Sequence, residues 1–134
     1  MKTFDVQSID FNVTQELAFA YIADPAQLPK WTEAFASVTG QKALMRTPNG
    51  EVEIGLVVHS SGQCGTIDWE MVFPDGSVAF AYSRVVKLSE HSCAYCFILT
   101  PPPVPLELLE GTLAAQSKIL AIELAKLKGI LEHG

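Results

Sequence analysis

Apolar residues recur at helical spacing near the C-terminus and at alternate positions through the middle of the chain. The two periods predict two kinds of element. Over 106–132, Leu106, Leu109, Leu113, Leu120, Leu124, Leu127 and Leu131 stack on one helical face, and Leu108, Ile119, Ile122 and Ile130 widen the stripe. A helix this apolar needs cover over much of its circumference. It would span roughly 40 Å, the width of a small domain. Prolines in TPPPVP (100–105) keep that stretch out of the helix, and Pro105 suits a first helical position. Glu107 and Glu110 lie near the positive end of the helix dipole, while Lys118, Lys126 and Lys128 lie toward the negative end. The flanking charge pattern of a dimerising coiled coil is missing.

The N-terminal third mixes both periods. A strand is expected over about 3–12, with a bulge where the phase moves from Phe4, Val6 and Ser8 to Ile9, Phe11 and Val13. Thr14 can cap a helix, TQELAFAYIA, that ends at Asp24-Pro25. Asp24 can cap a further turn with Gln27 at the capping-box position, Leu28-Pro29 breaks it, and PKWTEAF (29–35) makes a last short helix. From residue 36 onward the pattern is strands and turns. ASVTGQKALMRT (36–47) leads to a turn at Pro48, Asn49 and Gly50. EVEIGLVVHS (51–60) puts Val52, Ile54, Leu56 and Val58 on one face, and CGTIDWEMVF (64–73) does so for Ile67, Trp69, Met71 and Phe73. Pro74-Asp75-Gly76 signals a hairpin. In SVAFAYSRVVKL (77–88) the large residues Val78, Phe80, Tyr82, Arg84 and Val86 share a face, taken as the inner one. CAYCFILT (93–100) is apolar on both faces. Short turns between consecutive strands imply an antiparallel meander whose apolar face the long helix covers. A sheet curved around a helix leaves room for a small molecule at one end, under a lid formed by the short helices.

Composition narrows the classes. With 134 residues the chain suits one domain, and 49% apolar against 18% charged residues excludes a disordered protein. A formal charge of −6 with scattered lysines and arginines argues against nucleic acid. No apolar run is long enough to span a membrane, and MKTFDVQSID lacks the apolar core of a secretory leader, so a cytoplasmic location is expected. Three cysteines cannot all pair internally, which agrees with a reducing compartment.

The order strand, two short helices, strands, long helix, with YIADPAQLPKW near the start and GTIDWEMVFPDGS followed by YSRVV, resembles the START/Bet v 1-like superfamily across essentially the whole chain. More narrowly it looks like the bacterial polyketide cyclase/dehydrase and lipid-transport family. The resemblance implies an α+β helix-grip fold: a curved antiparallel sheet of six or seven strands around the C-terminal helix, with an internal cavity for an apolar ligand. It implies no single activity, because fold does not decide function.

Candidate residues for such a cavity are Trp31, Phe35, Trp69, Met71, Phe80, Tyr82, Arg84, Tyr95, Phe97, Leu120 and Leu124. For the aromatic and aliphatic members the plain alternative is ordinary core. Arg84 with Tyr82 would anchor a ligand carboxylate, phenolate or carbonyl if their phase faces inward. The alternative is a bulge at Val85-Val86 that turns Arg84 outward. Asp68 and Glu70 alternate with apolar residues and read as a solvated strand face. Cys93 and Cys96 form C-x-x-C, but in a strand they point to opposite faces, so neither a redox nor a zinc site is expected. His59, His91 and His133 lack evident partners. No nucleophile, metal or nucleotide motif occurs. No cofactor is expected. The reading is a binder of a small hydrophobic or aromatic ligand, lipid or polyketide-like. A cyclase or dehydratase using the same cavity, and a protein-interaction module, stay open as alternatives, as does a homodimer.

Overall fold

The computed structural model describes residues 4–47, 50–100 and 106–133. Seven strands form one antiparallel sheet: β1 (Asp5–Phe11), β2 (Phe35–Thr39), β3 (Lys42–Thr47), β4 (Gly50–Ser61), β5 (Thr66–Val72), β6 (Val78–Ser89) and β7 (Ser92–Leu99). Their spatial order is β1-β7-β6-β5-β4-β3-β2. From β2 to β7 the chain is therefore a meander, and β1 closes on β7. The consecutive strands β1 and β2 lie on opposite edges, so the segment between them must cross the whole sheet. It does so as α1 (Gln15–Ala23), a 3-10 turn (Pro25–Gln27) and α2 (Leu28–Trp31). The long helix α3 (Leu106–His133) lies against the concave face, approaching β1 and α2 most closely. Curved sheet, bridging short helices and gripped C-terminal helix make the α+β helix-grip architecture.

Local chemistry explains the short elements. Thr14 caps α1, its hydroxyl accepting from the Leu17 N–H at 3.2 Å. Asp24 ends α1 and starts the next turn, its carboxylate accepting from the Ala26 N–H at 3.1 Å. The break expected at Leu28-Pro29 does not occur. Pro29 sits in the first turn of α2, where its missing N–H costs nothing, and helix stops at Thr32. Phe35 opens β2 instead of ending a helix. The 36–47 stretch is not one strand but most of a hairpin, because Gly40 at φ 61° turns β2 into β3.

β1 runs without the expected bulge: its pairing with β7 is continuous from Asp5↔Leu99 to Phe11↔Cys93. One phase, Asp5, Gln7, Ile9 and Phe11, faces the helix, and Val6 is exposed. The polar members of that phase have a partner. Gln7 Nε2 donates to the Ser117 carbonyl at 2.7 Å, and the Ser117 hydroxyl donates to Asp5. Further along, Lys128 pairs with Glu132 at 2.9 Å, whose carboxylate accepts from the Asn12 N–H at 2.8 Å. α3 is thus stapled to the β1 edge at two levels. Leu120, Leu124, Leu127 and Leu131 are buried, as the stripe predicts, whereas Ile119 and Ile122 are exposed. The expected turn at Pro48 and Asn49, the 101–105 segment with Pro105, and the side chains of Leu106, Leu108, Leu109 and Leu113 lie outside the described residues.

Candidate functional site

The inner face of the sheet is built from alternating residues of each strand. β5 contributes Ile67 and Trp69, β6 contributes Ala81, Ser83 and Val85, and β7 contributes Cys93, Tyr95 and Phe97, all buried. Register decides what stands beside what. Trp69 pairs with Ala81, Ser83 with Phe97, and Val85 with Tyr95. β6, flanked by β5 and β7, therefore presents small side chains, Ala81 and Ser83, between large rings on its two neighbours. The rings form a chain across the sheet. Trp69 and Phe97 have centroids 5.8 Å apart, Phe97 meets Tyr95 edge-on at 6.3 Å, and Tyr95 stacks on Phe11 at 6.2 Å. Trp31 from α2, Phe35 from β2, and Leu120 and Leu124 from α3 belong to the same core, with Met71 half-buried at its margin.

Polar atoms within this apolar core are the feature that ordinary packing does not explain. The indole Nε1–H groups of Trp31 and Trp69 and the Tyr95 hydroxyl are buried without a hydrogen-bond partner, as is Gln27 Oε1 at the edge of the short helices. Trp31 is 2% exposed, Trp69 4% and Tyr95 0%. Buried donors are nearly always paired, and each orphan costs about 1–3 kcal/mol. Ser83, the only buried polar or charged residue among those described, donates its own proton to the Ile67 carbonyl at 2.6 Å. Its oxygen approaches the Tyr95 hydroxyl closely enough to lower the phenol pKa by side-chain hydrogen bonding, but not with the distance and angle of a full hydrogen bond. Burial pushes the Tyr95 pKa far above the usual phenol range, an effect Ser83 offsets only in part, so the hydroxyl stays protonated.

The sequence candidates divide by face. Trp31, Phe35, Trp69, Tyr95, Phe97, Leu120 and Leu124 come together between sheet and helix, and Met71 borders them. Phe80, Tyr82 and Arg84 do not. They occupy the outer phase of β6, with Phe80 37% and Tyr82 39% exposed, their rings stacked at 5.9 Å. Arg84 is exposed and its Nε donates to the Cys64 carbonyl at 3.2 Å. No bulge at Val85-Val86 causes this. Pairing is regular from Tyr82 to Lys87, and the irregularity comes only between Lys87 and Ser89. The phase itself is the reverse of the expected one, because the concave face has room for the small residues of β6 and not the large ones. Ser83 was missed for the same reason. The signal was present in the sequence, since the hairpin after Phe73 sets Trp69 opposite Ala81 and Asp68 opposite Tyr82.

Other candidates fall outside. Asp68 and Glu70 lie on the outer face, and His59, which looked unpartnered, meets Glu70 at 2.9 Å across the β4–β5 pair. Cys64, Cys93 and Cys96 are free thiols. Burial, with the Glu16 charge, pushes the Cys93 thiol up, away from reactivity. Among the described residues no three His, Cys, Asp or Glu side chains converge as metal ligands, and no helix is long and apolar enough to cross a membrane.

Comparison with known proteins bears on the fold. No family model matches the chain, and no curated protein sequence matches it. Solved structures do. XoxI from Bacillus cereus superposes with a TM-score of 0.72 at 13% identity, over 97% of this chain and 96% of that one. A START superfamily protein from Mycobacterium smegmatis gives 0.66 at 11% identity, over 96% of each chain. The Zhui aromatase/cyclase from a Streptomyces species gives 0.64 at 6% identity, over 96% of this chain and 90% of that one. The chain has the START/Bet v 1-like fold.

Proposed function

We propose that residues 1–134 act as a single ligand-binding domain that holds a small hydrophobic or aromatic molecule between the inner face of the sheet and α3. One observation carries this reading: the ring chain Phe11, Tyr95, Phe97 and Trp69, laid over the small residues Ala81 and Ser83, keeps polar donors that the folded chain itself leaves unpaired. An apolar surface with a few convergent polar groups is the usual make-up of a small-molecule site. Both tryptophans of the chain, Trp31 and Trp69, belong to it. A neutral apolar dye such as Nile red should therefore quench tryptophan emission saturably, at one dye per chain. Arg84→Met should leave that titration unchanged, because Arg84 is on the outer face. Emission that declines without saturating would remove the binding reading.

A second reading is a cyclase or dehydratase acting on a polyketide-like substrate in the same place. Its support is that matched structures include aromatase/cyclases, Zhui and the di-domain BexL. Tyr95, held protonated, could polarise a substrate carbonyl but is ill suited to act as a base. Incubation with a linear poly-ketone thioester separates the two: a binder returns it unchanged, an enzyme returns a cyclised or dehydrated product.

A further inference from the structure

The unpaired donors say more than that something binds; they say what kind of molecule. We propose that the ligand is neutral and carries acceptor oxygens, as in an aromatic ketone, ester or quinone, and that Trp31 Nε1–H, Trp69 Nε1–H and the Tyr95 hydroxyl donate to those oxygens. The inference rests on the binding reading above and narrows its ligand class.

Three alternatives fail on the chemistry of the inner face. A pure hydrocarbon would leave all three donors as orphans, and would recover none of their desolvation cost. An anion would shed its water in a place without a counter-charge. Ser83 is the only buried polar or charged residue described, and Arg84, the candidate cation from the sequence, points away. Two half-buried carboxylates, Asp5 and Glu123, are held against Ser117 and the Glu33 N–H and would repel an anion further. A cation or a donor-rich ligand meets the wrong polarity: an indole N–H can only donate, and burial keeps the Tyr95 proton in place. Neutral acceptors remain. Their oxygens need not be charged to be held, because a hydrogen bond shielded from water is stronger than one in contact with it. The rings of Trp69, Phe97 and Tyr95 would meet the flat apolar part of such a molecule.

Three naphthalenes of similar size test this on the full chain: naphthyl methyl ketone, isopropylnaphthalene and naphthoate. The ketone should bind about tenfold more tightly than the hydrocarbon, and naphthoate should bind most weakly. An indole N–H resonance should move downfield with the ketone and not with the hydrocarbon, one only because a single carbonyl oxygen has two lone pairs to share with Tyr95. Tyr95→Phe removes one donor and keeps the ring. It should leave folding stability unchanged or raised, weaken the ketone about fivefold and leave the hydrocarbon alone. Equal affinity for ketone and hydrocarbon, naphthoate binding tightest, or a Tyr95→Phe variant that loses stability would overturn the acceptor inference while the binding reading stands. If none of the three binds, the binding reading falls and takes this inference with it.

Discussion

Gly65 shows how a single position sets the scaffold behind the site. It ends the β4–β5 turn at φ 75°, where its N–H donates to the Ser61 carbonyl at 2.7 Å and its carbonyl accepts from the Val85 N–H at 2.8 Å. A Cβ there would collide with the Val85 carbonyl oxygen and sit 3.1 Å from Gln15 Nε2, which donates to that same oxygen. Turn, β6 and α1 therefore meet around one missing side chain. Gly65→Ala should cost about 3 kcal/mol or more, combining a left-handed backbone with a clash against main chain. Gly76 also has a positive φ, 89°, but a Cβ there meets nothing within 4 Å. Gly76→Ala should cost about 1–2 kcal/mol. Urea midpoints of the two variants check the difference; equal losses would mean that only backbone conformation matters at Gly65.

Among the elements, α3 and β6 teach opposite lessons. The leucine period places α3 and its buried stripe correctly, because a helix face is read from many residues at once. Leu124→Ala should cost about 2–5 kcal/mol, and Ile122→Ala, at a position 64% exposed, no more than about 0.5 kcal/mol. Chemical denaturation of the two variants measures this; similar losses would deny that α3 buries one face. In β6 the period is also clear, but a period of two leaves the choice between faces open. Large apolar residues are the natural choice for an inner face, and here they are on the outer one. Phe80 and Tyr82 stack on each other in partial contact with solvent, while Ala81 and Ser83 face the rings of neighbouring strands. Inside a concave sheet, space is shared among strands, and the bulk of Trp69 and Phe97 fixes the size of what stands between them. Alternation within one strand carries no record of its neighbours' volume. The same limit hid Asp5 and Gln7, whose inward polarity makes sense only once Ser117 of α3 is found opposite them. Most of the candidate site was legible as a set of aromatic residues, but its polar chemistry was not, because orphan donors exist only in three dimensions.

The whole molecule closes as a ring: α3 is stapled to β1 on one side, and on the other it reaches the loop between α2 and β2, at the opposite edge of the sheet. There the half-buried Glu123 carboxylate accepts the Glu33 N–H. Burial raises the Glu123 pKa above its ordinary value, and the Glu33 carboxylate adds to the rise, while the Glu33 N–H and Lys126 offset it only in part. The sign of the consequence follows from proton counting. An unfolded Glu123 titrates at its ordinary 4.5, whereas the folded one holds its proton to higher pH. Between those two values the native state binds more protons than the unfolded state, so this residue's contribution to stability falls as pH rises through that window. At neutral pH the ionised carboxylate is thus a net burden on the closure, even though it makes the hydrogen bond. Glu123→Gln keeps an oxygen for the Glu33 N–H and removes the charge. Its urea midpoint should gain on that of the parent as pH is raised from below 4.5 to neutrality, and the gain should level off once Glu123 is fully ionised. Parallel midpoint curves for parent and variant across that range would show that Glu123 titrates alike in both states, and that the loop is held by the backbone hydrogen bond without an electrostatic cost.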